Sequence, residues 1–131
     1  MSNSLNIRPQ YHFRPSAEGL LAWDVRELVI LAAELTPVEI NIDHIAEYNE
    51  SYWHDKDTQL TCKAIAEHAQ LINDADLHYP IILCHEGRLM DGMHRVCKAH
   101  LLGHRTILAV QFNRYVPPHH IGKQPDELPY E

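Results

Sequence analysis

The chain has no long hydrophobic run and few cysteines. No apolar stretch approaches the roughly 18 residues that a membrane-spanning helix needs, so we expect no membrane association. The N-terminus has neither the basic flank nor the apolar core of a signal peptide, so we expect no secretion. The three cysteines include no C-x-x-C pair and are odd in number, which argues against a disulfide framework. We therefore predict a cytoplasmic, reducing compartment.

The chain is also short of positive charge. Eighteen acidic residues outnumber 11 basic ones, which gives a formal net charge of −7 at pH 7. Proteins that neutralise many nucleic-acid phosphates carry a face rich in Lys and Arg. We therefore expect no duplex DNA binding. The 11 histidines are unusually many, so the net charge should rise below about pH 6.5.

Length and composition favour one domain over the whole chain, residues 1–131. A hydrophobic content of 45% is ordinary for a globular protein of this size. Residues 1–19 are polar and are predicted to form an N-terminal arm. The Pro-rich segment 113–131 is predicted to be an extended C-terminal tail, either laid along the body through Tyr115 and Val116 or disordered.

Hydrophobic periodicity between the arm and the tail predicts helices and strands in mixed order. The predicted helices span 23–35, 58–71 and 93–102, and the predicted strands span 38–42, 81–84, 88–91 and 106–112. A loop with a helical turn is predicted at 43–57. The fold class that follows is α/β or α+β, a small mixed β-sheet flanked by helices.

The segment from Asp91 to Arg95 places a glycine between a strand and a helix. The first amides of a helix have no intrahelical partner and the helix dipole is positive there, so this end accepts an anion. Arg95 can hold a phosphate with its planar fork, and His94 can exchange a proton nearby. Asp91 can hold a metal ion that bridges to phosphate, orient His94 or cap the helix. A plain turn, with Asp91 as cap and Arg95 paired with Glu86, fits the same residues.

The stretch YPIILCHEGRLMDGMHRVCKAHLLGHRTILAVQF, residues 79–112, resembles the core of the ParB/sulfiredoxin superfamily. Its elements follow in that family's order: a Pro-Ile apolar strand, a glycine turn, a strand ending in D-G-x-H-R, a helix, a Leu-Gly stop and a strand ending in I-x-A-V. The segment INIDHI, residues 40–45, resembles the early strand and helix start of that domain. The resemblance covers about half of the chain closely and implies the ParB/sulfiredoxin-like fold.

In that superfamily the corresponding loop binds nucleotide phosphates. The resemblance therefore implies a site for a small-molecule nucleotide, ATP or CTP with Mg²⁺, formed by Asp91, Gly92, Met93, His94 and Arg95. Members include CTP-dependent partition clamps, sulfinic-acid reductases, free-serine kinases and proteins described as nucleases. Sulfiredoxins carry a cysteine where this chain has Met93, so we do not expect sulfinyl reduction. We expect no DNA clamp, because the helix-turn-helix domain and dimerisation segment of partition proteins are not recognisable here.

The serine-kinase branch uses the same turn and needs an acidic base near the acceptor. Asp43 or Glu47 would serve as that base beside His94, and no spacing rule chooses between the two acids. The expected function is nucleotide or phosphate binding, in a small-molecule phosphotransferase or nucleotide hydrolase. The alternative is a non-catalytic ligand-binding or protein-interaction module that keeps the fold. The sequence leaves the oligomeric state open, a homodimer included.

Two further groups of residues have competing interpretations. Tyr52 and Trp53 lie in the predicted loop, where they either stack on a substrate or pack over the edge of the core. His100 and His104 have the four-residue spacing of metal ligands on one helix face, but Gly103 is expected to end the helix between them. We therefore predict no metal site there.

Overall fold

A computed structural model describes residues 10–53 and 59–129. The helices are α1 Val25–Ala32, α2 Cys62–Asp74 and α3 Met93–Leu101. The strands are β1 Tyr11–Ser16, β2 Gly19–Asp24, β3 Val38–Asn41, β4 Ile81–Leu83, β5 Leu89–Asp91, β6 Thr106–Gln111 and β7 His120–Ile121. Short 3-10 helices span Ile42–His44, Ala46–Asn49 and Pro125–Glu127. This is the mixed α+β content that the sequence predicts.

The larger sheet has the order β3-β6-β4-β5. Strand β6 runs parallel to β4 and antiparallel to β3, and β4 runs antiparallel to β5, so the sheet is mixed as predicted. Because strand side chains alternate between faces, this sheet supports two separate apolar clusters. Ile81 and Leu83 belong to the cluster that includes α3, whereas Ile82 belongs to the cluster that includes α1.

The smaller sheet has the order β1-β2-β7, with antiparallel pairing throughout. The sequence predicted an arm over residues 1–19 and a tail over 113–131, and it predicted none of these three strands. Pro15 lies in β1, an edge strand, where a residue without an amide hydrogen is tolerated. Tail and hairpin are also joined by a hydrogen bond from Nε1 of Trp23 to the carbonyl of Val116, 2.7 Å long.

The first two helices begin later than predicted, whereas the third begins at Met93 as predicted. Helix α1 also ends at Ala32 rather than at residue 35, and α2 extends to Asp74 rather than to residue 71. The prediction that the first helix begins at Trp23 was wrong, because Trp23 and Asp24 belong to β2 and Asp24 caps α1 by accepting from the Arg26 amide at 3.0 Å. The second helix begins after Thr61, whose hydroxyl accepts from the Ala64 amide at 3.0 Å. The capping side chains Asp24 and Thr61 therefore determine where α1 and α2 begin. Hydrophobic periodicity alone predicted both helices to begin too early in the chain. Thr58, the predicted start, lies outside the described residues.

Helix α2 lies at the surface of the protein. None of its residues is buried, although it is the longest of the three helices at 13 residues. By contrast, α3 buries Met93, Val96 and Ala99 against the sheet. Across the described ranges, no helix has the length and apolar character needed to cross a bilayer.

Candidate functional site

The turn from β5 into α3 has the form that the sequence predicts. Strand β5 ends at Asp91, Gly92 is the N-cap, and α3 begins at Met93. Gly92 has φ 116° and ψ 18°, a left-handed conformation that strongly favours glycine. Because glycine has no side chain, no side-chain cap covers the first-turn amides of α3.

The space around Gly92 is also too small for a larger residue. An added Cβ would lie 2.6 Å from Cγ2 of Ile81 and 3.0 Å from Nη2 of Arg95. Ile81 is fully buried in the core, so it cannot move aside at low cost. Glycine is therefore required here both by the backbone conformation and by packing.

The turn lines a cleft of about 530 Å³ between α1, the C-terminal end of α2 and the N-terminal end of α3. All five residues that the resemblance singles out contribute to its wall: Asp91, Gly92, Met93, His94 and Arg95. Much of the remaining wall is apolar and is formed by Val29, Ala32, Ala33, Leu71, Ala75, Pro80, Ile82 and Val110.

Arg95 is held by the protein itself. Its Nη2 donates to Oδ2 of Asp91 at 2.6 Å, and its Nη1 donates to the carbonyl oxygens of Tyr79 and Pro80 at 3.0 Å each. The ion pair between Arg95 and Glu86 that we considered is replaced by this pair with Asp91. Asp91 therefore does not cap α3; it anchors the arginine. Burial nevertheless raises the pKa of Asp91, and the charge and hydrogen bond of Arg95 offset this only in part.

His94 is packed in an aromatic cluster with Trp53 and His68. The indole of Trp53 lies 4.4 Å from the His94 ring and 4.2 Å from the His68 ring, stacked on both. Nδ1 of His68 lies 2.9 Å from Nε2 of His94, within hydrogen-bonding distance. The predicted packing role of Trp53 is therefore present, since it contacts the core that contains α3. A proton transfer by His94 would involve its partner His68.

The two acids proposed as bases lie elsewhere. Neither Asp43 nor Glu47 lines the cleft, and Asp43 is exposed. Glu47 is 4% exposed; its Oε2 accepts from Nε of Arg88 at 3.1 Å, and its Oε1 has no hydrogen-bond partner among the described residues. Burial, with the charges of Glu47 and Asp91 nearby, raises the pKa of Tyr52 to about 12. Neither candidate base therefore contributes to the wall of the cleft.

Two acids of the cleft were missed by sequence reasoning. Asp74 and Asp76 line it near the end of α2, just beyond the predicted helix 58–71. Hydrogen bonds from the amide and the ring of His78 lower the pKa of Asp76. No local pattern relates these residues to Gly92, because only the packing of α2 beside α3 brings them together.

A second group of potential ligand atoms lies in the turn between β4 and β5. Atoms of Cys84, His85 and Glu86 that can bind a metal all lie within 4.8 Å of one another. Burial alone would raise the pKa of the Cys84 thiol, but hydrogen bonds from Arg14 and from the backbone of Arg88 and Glu86 lower it overall.

Comparisons with known proteins gave no relative: no protein-family model, curated protein or solved structure matches this chain. The resemblance to the ParB/sulfiredoxin superfamily therefore stays a prediction.

Proposed function

We propose that the cleft beside Gly92 binds a small phosphorylated molecule, with a nucleoside triphosphate and Mg²⁺ as the first candidate. The observation that carries this proposal is the glycine-capped N-terminus of α3, which lines a cleft of about 530 Å³. Small-molecule sites in proteins commonly enclose about 300–1,000 Å³. The D-G-x-H-R resemblance supports the same ligand class independently of the cleft.

The wall of the cleft divides into parts that suit the parts of a nucleotide. The positive end of the α3 dipole and the first-turn amides, which no side chain caps, suit a phosphate. The apolar wall suits a base and is formed by residues from α1, α2 and the sheet: Val29, Ala32, Ala33, Leu71 and Val110. Apolar walls with a few convergent polar groups are typical of cofactor sites.

The charges of the cleft explain why a cation belongs to the proposal. Asp74, Asp76 and Asp91 line the cleft, whereas Arg95 is the one Lys or Arg among the described residues that line it. An uncomplexed triphosphate would be repelled by these carboxylates. Mg²⁺ binds carboxylate and phosphate oxygens together and would remove this repulsion. We therefore expect binding to depend on Mg²⁺.

The geometry favours binding over catalysis. Asp43 and Glu47 do not line the cleft, and Nε2 of His94 faces His68. A non-catalytic nucleotide-binding module is thus the form of the proposal that requires no side chain to move toward the ligand as a base. In the phosphotransferase or hydrolase version the base would be Asp91, which lies at the turn and would have to leave its ion pair with Arg95 to accept a proton.

Thermal unfolding of the full chain with ATP or CTP, with and without MgCl₂, tests the proposal. A ligand at about 100 times its dissociation constant stabilises by about 2.7 kcal/mol through mass action. Ala33→Trp should fill the cleft and remove the shift in melting temperature, whereas Ala66→Trp, on an exposed face of α2 outside the cleft, should keep it. An unchanged shift in Ala33→Trp, or no shift with any nucleotide, contradicts the proposal.

Phosphate release then separates the two versions. Release above the rate without protein, lost in Asp91→Asn while the nucleotide still binds, identifies an enzyme. Binding without release identifies the module. Duplex DNA should show no appreciable anisotropy change at about 150 mM salt, because the net charge is −7 and nonspecific affinity depends on phosphate neutralisation.

A further inference from the structure

The contact between α2 and α3 brings two imidazole rings edge to edge. Nδ1 of His68 lies 2.9 Å from Nε2 of His94, although the two residues are 26 positions apart in the chain. The ring centroids are 5.1 Å apart and the ring planes differ by 27°. The tertiary fold therefore brings these two histidines together, and no short sequence motif predicts their contact.

Trp53 holds the two rings in one layer. Its indole is within 25° of parallel to the His68 ring and 17° of parallel to the His94 ring. If the imidazoles lay on opposite faces of the indole, their centroids would be separated by nearly the sum of their distances from it. The observed 5.1 Å is far shorter, so both imidazoles cover the same face, side by side.

We propose that His68 and His94 form a two-histidine site for a divalent transition-metal ion, with Zn²⁺ and Ni²⁺ as probes. Two nitrogens bound to one ion at about 2.0–2.1 Å lie about 2.9 Å apart at a right angle and about 3.3 Å apart at the tetrahedral angle. The nitrogens of this pair are already 2.9 Å apart. The ion displaces the hydrogen between the two nitrogens and lies to one side of the line that joins them, and the rings turn within their layer until both lone pairs point at it. Water completes the coordination.

The proton balance of this exchange is simple. Imidazole binds metal through an unprotonated nitrogen, and only one of the two facing nitrogens carries a hydrogen in a neutral pair. The ring that donates this hydrogen changes to its other tautomer, so two neutral rings bind the ion without releasing a proton.

The position of the pair links it to the cleft without depending on the nucleotide proposal. His94 lines the cleft, so the ion would lie at its rim. The ligands are nitrogens, which suit transition metals, whereas the cleft carboxylates suit Mg²⁺. The Cys84, His85 and Glu86 cluster is a weaker candidate, because Arg14 and Arg114 line the same small cavity and oppose a cation.

Titration of the full chain with NiCl₂, followed by tryptophan fluorescence, tests the site. Paramagnetic Ni²⁺ at the pair should quench Trp53 saturably, with a dissociation constant in the micromolar range. Loss of a second-shell partner alone commonly weakens metal binding about 10–100-fold, so His68→Gln and His94→Gln should each weaken it at least about tenfold. Trp53→Phe should remove the quenching but keep the rise in melting temperature that ZnCl₂ produces, since Trp23 is the other of the two tryptophans.

His85→Gln is the matched control, because it removes an exposed ring from the competing cluster. It should leave both the quenching and the stabilisation unchanged. Circular dichroism confirms that each variant is folded. Unchanged Ni²⁺ affinity in both His68→Gln and His94→Gln, loss of binding in His85→Gln, or no saturable quenching would each overturn the proposal.

Discussion

Arg95 reaches back across one turn of α3 and donates to the carboxylate of Asp91 at 2.6 Å, with both side chains only 15% exposed. The same guanidinium donates to the carbonyls of Tyr79 and Pro80, which precede β4. Arg95, in the first turn of α3, is therefore bonded both to the residues that precede β4 and to the last residue of β5. It fixes the shape of the glycine turn whether or not a ligand is bound.

Replacing this arginine should destabilise the fold. Arg95→Ala leaves Asp91 partly buried without its cation, and breaking such a pair costs about 3–5 kcal/mol when it is fully buried. We expect about 2–4 kcal/mol here because some exposure remains. Urea unfolding measures the loss, with Arg105→Ala as the exposed control. A stable Arg95→Ala protein with weakened nucleotide binding would instead assign the side chain to the ligand.

Gly92 and Gly103 allow backbone strain and steric clash to be separated. Both have positive φ, at 116° and 84°, but an added Cβ meets Ile81 only at Gly92, and nothing lies within 4 Å at Gly103. Gly103→Ala should cost about 1–2 kcal/mol from conformation alone. Gly92→Ala should cost at least about 1 kcal/mol more, since overpacking adds about 1–3 kcal/mol. Equal unfolding free energies for the two variants would refute the clash, and Ile81→Ala should reduce the difference.

Helix α2 should open more readily than α3. It buries no residue, and Lys98 holds its C-terminal end by donating from Nζ to the carbonyls of Asn73 at 2.8 Å and Ala75 at 2.7 Å. Few buried contacts mean a low free energy of local opening. Amide hydrogen exchange should therefore be faster in α2 than in α3, and Lys98→Met should speed exchange in α2 further. Lys63→Met, at the exposed start of α2, is the control; equal protection of the two helices would contradict this view.

His12 should make the protein sensitive to acid. Burial, followed by the positive charge of Arg14, lowers the pKa of His12 from 6.5 to about 4. The unfolded chain therefore binds a proton that the folded chain does not between these values. The contribution of neutral His12 to the free energy of unfolding is present above about pH 6.5 and is lost as the pH falls toward about 4. The loss amounts to at most about 3 kcal/mol.

Unfolding free energies measured from pH 7 to pH 4 test this assignment. His12→Gln keeps an acceptor for Nε of Arg14, which lies 3.0 Å from the His12 ring nitrogen, and removes the titration. The variant should lose less stability than the unaltered protein over that interval. His104→Gln, an exposed control, should not differ. An NMR titration that places the pKa of His12 near 6.5 would contradict the burial argument.

Local sequence patterns predicted the larger sheet and α3 better than the smaller sheet. The strand, glycine turn and helix around Gly92 follow from chemistry within a few residues, and the structure has them there. The pairing of β7 with β2 joins residues far apart in the chain, which hydrophobic periodicity cannot detect. The hairpin of β1 and β2 is local, but it was missed because residues 1–19 were interpreted as a polar arm. Asp74 lines the cleft, and His68 lies beside His94, because the fold brings together segments that are separated in the chain. The sequence identified Arg95 as a site residue because of its residue type. It could not predict that the backbone carbonyls of Tyr79 and Pro80 accept from this arginine, because backbone groups carry no sequence signal.

The pairing of β2 with β7 also imposes an order on biosynthesis. The bond from Trp23 to Val116 joins residues 93 positions apart, so the hairpin emerges from the ribosome long before the strand that completes its sheet. Until His120 and Ile121 arrive, β2 presents an open edge of backbone donors and acceptors, the kind of edge that pairs with other chains. A strand made later therefore protects an earlier one from pairing with other chains.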